Sequence, residues 1–362
     1  ATAERLIGEL GLPLEGLLSG STRYDTKILF PYGKTDEPAP LHVSIETSLE
    51  GLAVKLPVPA GKKLDEIRSL SMDIKFPEPD RIDSFGSSTN GITWSASFLK
   101  EAEKWDFNQG IIVVGNRKTA EPETRGLHIV GEMSELRLNE WLEIALKEPK
   151  NTGVGERIRS MDLLVDNLYV LGQYFSKHRL QVDRGAEEWF VELDGDEAIG
   201  SIVVPYDFSG DKPLLVKMEK LTLPGADNNK VHATDLIDPR TLPPISIKAN
   251  EFALGLRHFG SLEAEFMRTE MGLEALNIMT KDDSFDLSGT GRWVVESTDD
   301  SDQRSYLTAK LVSTNVKQTT QRLNYQPGIV SNNMEIDIDV NWPGGPRKNF
   351  IANLDGNIEM RL

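Results

Sequence analysis

The sequence predicts a mainly β protein, a long antiparallel sheet accompanied by a few short α-helices. Three observations carry this. Apolar and polar residues alternate with a period of two from one end of the chain to the other, as in strands with one apolar and one wet face. Helical periodicity is confined to three short stretches. Proline repeatedly follows the last apolar residue of an alternating run, where its missing amide donor and fixed φ stop a ladder.

The first helical stretch, "TAERLIGEL", predicts a helix near residues 2–10. Alternation then sets in with Leu41, Val43 and Ile45, followed by Leu52, Val54, Leu56 and Val58. Leu70, Met72, Ile74 and Phe76 form the next apolar face, and Ile92, Trp94, Ala96 and Phe98 the one after. "NEWLEIALKE" predicts a helix over 139–148, with Asn139 as N-cap and Leu138 and Trp141 anchoring it to the sheet. Leu262, Ala264 and Phe266 alternate with glutamates, and Phe285 and Leu287 lead through Gly289 and Gly291 to Trp293. A helix over 314–324 follows, with Thr314 as its cap. Met334, Ile336, Ile338, Val340 and Trp342 then share a face against Glu335, Asp337, Asp339 and Asn341. Phe350, Ala352, Leu354, Ile358, Met360 and Leu362 read as the last strand. The polar, turn-rich runs 116–125, 148–157, 225–233 and 297–304 read as hairpin loops or connections.

Strand-ending prolines are expected at Phe76-Pro77, Val204-Pro205, Leu223-Pro224 and Trp342-Pro343. An internal echo joins the two ends of the chain. Residues 4–33 run helix, Pro-containing loop, strand and Phe30-Pro31, and residues 319–345 repeat that order up to Trp342-Pro343. On this register Phe30 matches Trp342 and Ile28 matches Val340.

With 362 residues, 39% of them hydrophobic, the chain has enough apolar material for one large or two ordinary domains. The expectation is one continuous segment over 1–362, a fragment of something longer. A formal net charge of −17 opposes nucleic acid and anionic lipid headgroups as principal partners. The absence of cysteine excludes disulfides, thiolate metal sites and cysteine nucleophiles. "ATAERLIGELG" is too polar for a signal peptide, and no apolar run approaches the roughly 20 residues that span a bilayer. Any anchor is therefore expected outside this chain.

Motifs for chemistry are missing. His42, His128, His178, His232 and His258 stand singly, without the spacing that places two nitrogens on one metal. There is no GxSxG elbow, and "GSSTNG" at 86–91 reads as a turn. "GTGRWV" at 289–294 lacks the third glycine of a dinucleotide fingerprint and leads into a strand, so its glycines read as strand glycines. "AGKK" at 60–63 lacks the earlier glycine and the hydroxyl residue of a phosphate loop. Glu187-Glu188, Asp194-Gly195-Asp196-Glu197, Asp282-Asp283 and Asp299-Asp300-Ser301-Asp302 read as solvated loop charge. The expectation is no enzyme, no cofactor and no metal.

The apolar strand faces must still be covered. Two sheets can close on each other as sandwiches, or one sheet can curl into a trough whose apolar floor takes a ligand. Roughly eighteen strands in one series would span about 90 Å. The helices are too few and short to cover so many faces, which favours the trough, although a sandwich needs no helices.

The order "IDPRTLPPISIKANEFALGLRHFGSLEAEF", "MGLEALNIMTKDDSFDLSGTGRW" and "NYQPGIVSNNMEIDIDVNWPGGP" resembles the C-terminal region of YhdP-type proteins of the AsmA-like family. "LSGSTRYDTKILFP" and "LRLNEWLEIAL" resemble it too, so the similarity spans nearly the whole chain. The resemblance implies a curled, taco-like sheet with a hydrophobic groove. It implies a periplasmic protein anchored in the inner membrane by an N-terminal helix, and a non-catalytic conduit that carries phospholipid towards the outer membrane. The residues expected to line the groove are Leu70, Met72, Ile74, Phe76, Ile92, Trp94, Phe98, Ile336, Ile338, Val340, Trp342, Leu354, Ile358 and Met360. The rival readings are a structural or adhesive β-sandwich of the envelope and, third, a carbohydrate-active enzyme using two acidic clusters.

Overall fold

The computed structural model describes residues 16–30, 40–102, 104–117, 122, 124–141, 157–170, 173–224, 238–297, 302–326, 328, 331–345 and 350–362. It is mainly β with a large curled sheet and short helices, as the alternation predicts. Residues 1–165 and 166–362 form two compact units.

The first unit contains β1 (Leu18–Gly20), β2 (Asp25–Leu29), β3 (Leu41–Thr47), β4 (Leu52–Val54), β5 (Leu70–Glu78) and β6 (Arg81–Ser88). Then come β7 (Ile92–Glu101), β8 (Lys104–Val114), β9 (Gly126–Met133), β10 (Leu136–Arg137) and β11 (Ile158–Val170), the last reaching past the unit's end at Val165. β1 and β4 pair as a separate ribbon. β2, β3, β5, β6, β7 and β8 pair antiparallel in that order. β8 with β9 and β9 with β11 are parallel. Across these strands the register aligns Thr26, Ile45, Met72, Gly86, Trp94, Ile112, Ile129 and Met161 in one row on one face.

The second unit contains β12 (Gln173–Arg184), β13 (Glu188–Asp194), β14 (Ala198–Pro205), β15 (Leu214–Leu223) and β16 (Ile245–Leu254). It continues through β17 (Arg257–Thr269), β18 (Gly272–Lys281), β19 (Phe285–Val295), β20 (Gln303–Ser313), β21 (Met334–Pro343) and β22 (Asp355–Arg361). Each strand pairs with the next, antiparallel except for β15 with β16. Helix α1 (Val316–Arg322) joins β20 to β21, and 3-10 turns occupy Pro239–Thr241 and Phe350–Asn353.

Several expectations are corrected. The sheet is not wholly antiparallel: three parallel pairs occur among the described residues, each requiring a crossover that returns the chain to the edge it left. β14 and β21 end on Pro205 and Pro343 and β15 stops before Pro224, but β5 runs through Pro77, where the register shifts instead. Asn315, not Thr314, caps α1, its side chain accepting from Gln318 N at 3.2 Å. Asn139 sits inside the first turn of a helix that starts at 138, so it is not the cap. The rest of that helix and the one near 2–10 lie outside the described residues. Phe350–Asn353 is a 3-10 turn rather than strand, with the Phe350 ring against Trp342, 4.9 Å between centroids. Leu354 therefore falls between that turn and β22. The echo does not extend to environment, since Ile28 and Phe30 are exposed whereas Val340 and Trp342 are buried, and its first helix lies outside the described residues.

Candidate functional site

In the second unit, strand register turns the one-dimensional alternation into a surface. Val182, Val191, Ile202, Val216, Ile247, Ala264, Ile278, Gly289, Ala309, Ile338 and Ile358 stand opposite one another in a single row from β12 to β22. The neighbouring row on the other face reads Glu192, Ser201, Lys217, Lys248, Glu263, Met279, Ser288, Lys310, Asp337 and Glu359. Opposite faces thus differ sharply in polarity.

The apolar row is shielded but not sealed. Ile202, Val216, Ile247, Ile278 and Ile338 are half-buried, where the inward residues of a closed sandwich would be buried outright. Covered ground lies at the two edges. At one, Val316 of α1 packs with Phe285, Leu311 and Met334, and Phe259, Leu287, Leu323 and Ile336 surround that cluster. At the other, Trp342 donates from Nε1 to Gly345 O at 3.0 Å, and Gly345 lies so close to the Trp293 indole that a Cβ there would sit 2.6 Å from the ring.

The first unit repeats the pattern. Leu70, Met72, Ile74 and Phe76 stand opposite Thr47, Ile45, Val43 and Leu41, all half-buried. Ile92, Trp94 and Phe98 lie on the same face two strands on, also half-buried. The Trp94 indole lies over Gly86, where a Cβ would approach it to 2.0 Å, and Phe98 meets Phe107 edge-on at 5.7 Å.

The polar face is ionic and wet. Arg361 pairs with Asp337 at 2.8 Å and Lys310 with Glu335 at 2.9 Å, the Lys310 ammonium holding the Glu335 carboxyl below its ordinary value. In the first unit, hydrogen bonds from Ser44 and then His42 do the same for Asp73. An open depression over Ser288, Thr308, Asp337 and Asp339 on this face is lined mostly by polar residues, with Ala309 and Ile338 among them.

A family model described as YhdP protein matches residues 1–362. The chain belongs to the YhdP protein family. Searches of curated proteins and of solved structures found no match. Among the described residues of this YhdP-family chain, no helix is long and apolar enough to cross a membrane.

Of the residues that sequence reasoning singled out in the second unit, Ile336 and Ile338 lie half-buried on the apolar face. Val340 and Trp342 are 5% and 7% exposed, packed into the edge of the face. Ile358 and Met360 continue the face onto β22 but are 61% and 53% exposed. The middle of the surface, Val191 to Ile278, was not singled out. Its signal was present in "LLVKMEKLTL" and "ISIKANEF", diluted by lysine and glutamate on the alternate positions.

Several titratable groups among the described residues are held in local partnerships. His178 is buried, with Nδ1 3.0 Å from Ser176 O and Nε2 accepting from Ala198 N at 3.1 Å, so the imidazole ties β12 to β14. Asp282 is bound by Arg322, and Glu187 by Lys212. Among the described residues no group of three or more His, Asp or Glu is placed to hold a metal ion.

Proposed function

We propose that this YhdP-family chain is a non-catalytic segment of a lipid-transfer conduit, in which the apolar sheet faces shield phospholipid acyl chains between the inner and outer membranes. The observation that carries this reading is the row from Val182 to Ile358, in which Val191, Ile202, Val216, Ile247, Ile278 and Ile338 are half-buried, while Val182, Ala264 and Ala309 are buried and Ile358 is exposed. Acyl chains laid on it would supply the contacts a second layer otherwise supplies, at about 0.8 kcal/mol per buried CH₂. Each unit would contribute a stretch of groove. The reading places the chain in the periplasm, held to the inner membrane by a helix outside these 362 residues.

A structural or adhesive sandwich is disfavoured by the same half-buried face. A carbohydrate-active enzyme requires two carboxyl groups converging in one cleft. Asp282 and Glu187 are instead engaged by separate cations.

Photocrosslinking in living cells tests the proposal. A photoreactive residue at position 338 is expected to capture lipid, and one at position 337, on the opposite face, is not. Equal capture at both positions, or none at either, would overturn it.

A further inference from the structure

The two edges of the apolar face in the second unit differ in chemistry. On one, the aromatic side chains carry polar handles. Trp189 stands opposite both Arg184 and Val204. Its ring meets Tyr206 edge-on at 5.5 Å, and the Arg184 guanidinium lies 5.3 Å from the Trp189 centroid and 4.9 Å from that of Tyr206. Farther along the same edge Trp293 donates to Gln303 Oε1 and Trp342 to Gly345 O. The opposite edge is phenylalanine: Phe252, Phe259 and Phe285 run in a chain with centroids 5.8 and 6.3 Å apart. Helix α1 closes over it with Val316 1% exposed, and the hydroxyls beneath are spent internally, Ser313 on Thr319 and Thr319 donating to the Ser284 carbonyl.

Tryptophan and tyrosine favour boundaries where one end of the ring meets hydrocarbon and the other meets water. An arginine stacked on two rings has lost part of its rotamer freedom in advance and presents a fork suited to phosphate oxygens. The phenylalanine edge holds one arginine over a single ring, Arg257 at 5.7 Å from the Tyr325 centroid, and none of the second unit's tryptophans. A net charge of −17 disfavours ligands that carry net negative charge, which leaves a headgroup whose phosphate is internally balanced by a cation.

We propose that phospholipids on this face lie with zwitterionic headgroups along the Arg184, Trp189, Tyr206, Trp293 and Trp342 edge, and with their acyl chains directed toward Phe252, Phe259 and Phe285. This rests on the conduit reading above and assigns the lipid an orientation across the strands. Arg184 is the phosphate contact.

Two phosphatidylethanolamine probes test it, one with a diazirine in the headgroup and one with a diazirine at the acyl terminus. Each is presented to the full chain in phosphatidylethanolamine vesicles, and labelled peptides are mapped by mass spectrometry. The headgroup probe is expected to label peptides holding Trp189 or Trp342 over those holding Phe259 or Phe285 by about five-fold, the ratio that roughly 1 kcal/mol gives. The acyl probe is expected to reverse that preference. Arg184→Gln is expected to lower the ratio of headgroup to acyl labelling at Trp189, and Arg184→Lys to restore it in part. Even headgroup labelling of both edges, or a ratio unmoved by Arg184→Gln, overturns the orientation while leaving the groove standing. Absence of acyl labelling anywhere on the face overturns the groove itself, and the orientation with it.

Discussion

Gly289 shows how a motif fragment becomes structural when its neighbours are in place. "GTGRWV" carries two of the glycines of a phosphate-binding turn, yet it lies within β19. A Cβ at Gly289 would sit 2.5 Å from Thr308 O and 2.8 Å from the Ala309 Cβ, so the glycine lets β20 approach. Gly289→Val is expected to destabilise the protein by about 1–3 kcal/mol, the usual cost of overpacking, read by urea denaturation. Unchanged stability would mean that the strands part freely there. This role was legible in the sequence, because Phe285, Leu287 and Trp293 alternate through the glycines. That of His178 was not: the amide it accepts from belongs to Ala198 on another strand, and no spacing along the chain announces such a pair.

Helix α1 is held by the packing of Val316, by the Thr319 hydroxyl between Ser313 and the Ser284 carbonyl, and by an ion pair at Arg322. Asp282 Oδ2 lies 2.7 Å from Arg322 and 2.8 Å from its Nε, and Asp282 also accepts from the amide and hydroxyl of Ser284. Burial alone would raise the Asp282 pKa, but the hydrogen bonds from Arg322 and Ser284 together outweigh it and hold the carboxyl below its ordinary value. Folding therefore favours the ionised form. That stabilisation is fully present above the ordinary aspartate range and is lost as pH falls through the depressed value, below about pH 4. Asp282→Asn is expected to cost about 1–2 kcal/mol at neutral pH, as charge-assisted bonds to a half-exposed arginine do. Its melting temperature is also expected to fall less than that of the native chain between pH 5 and about pH 3. An identical acid slope in both proteins would show that the pair does not titrate with folding. The helix itself was readable from its 3.6-residue period. Its cap was displaced by one residue because Thr314 and Asn315 are both competent caps, and the Ser313 hydroxyl, accepting from the Asn315 amide, settles the choice through a side chain the local pattern does not weigh.

Alternation reports which side of a strand is apolar, but not which strand lies beside it. The parallel steps at β8–β9 and β15–β16 could not be read, since a strand has the same period in either direction and the connecting runs 116–125 and 225–233 are polar; only the β9–β11 step carried a clue, the helical period over 139–148 between the two strands. What the sequence did carry was the consequence of register: in a regular ladder, one-sided strands must sum to one-sided sheets. Whether such a face is open or closed is decided by coverage, which only the folded chain displays. Ile278 and Leu311 separate the two cases. Ile278 is half-buried in the middle of the row, whereas Leu311 is 3% exposed beneath α1. Leu311→Glu is expected to abolish folding, because it buries an unpaired carboxylate in a packed cluster. Ile278→Glu is expected to keep the β circular-dichroism spectrum and a cooperative melt, since water reaches the new charge. It is also expected to lower lipid recovered with the purified protein by about ten-fold or more, because a carboxylate facing acyl chains costs on the order of 2–3 kcal/mol. If Ile278→Glu instead unfolds the protein as Leu311→Glu does, the face is a core and not a floor for lipid. Loss of lipid from a folded Ile278→Glu chain follows only when hydrocarbon, rather than protein, lies against that row.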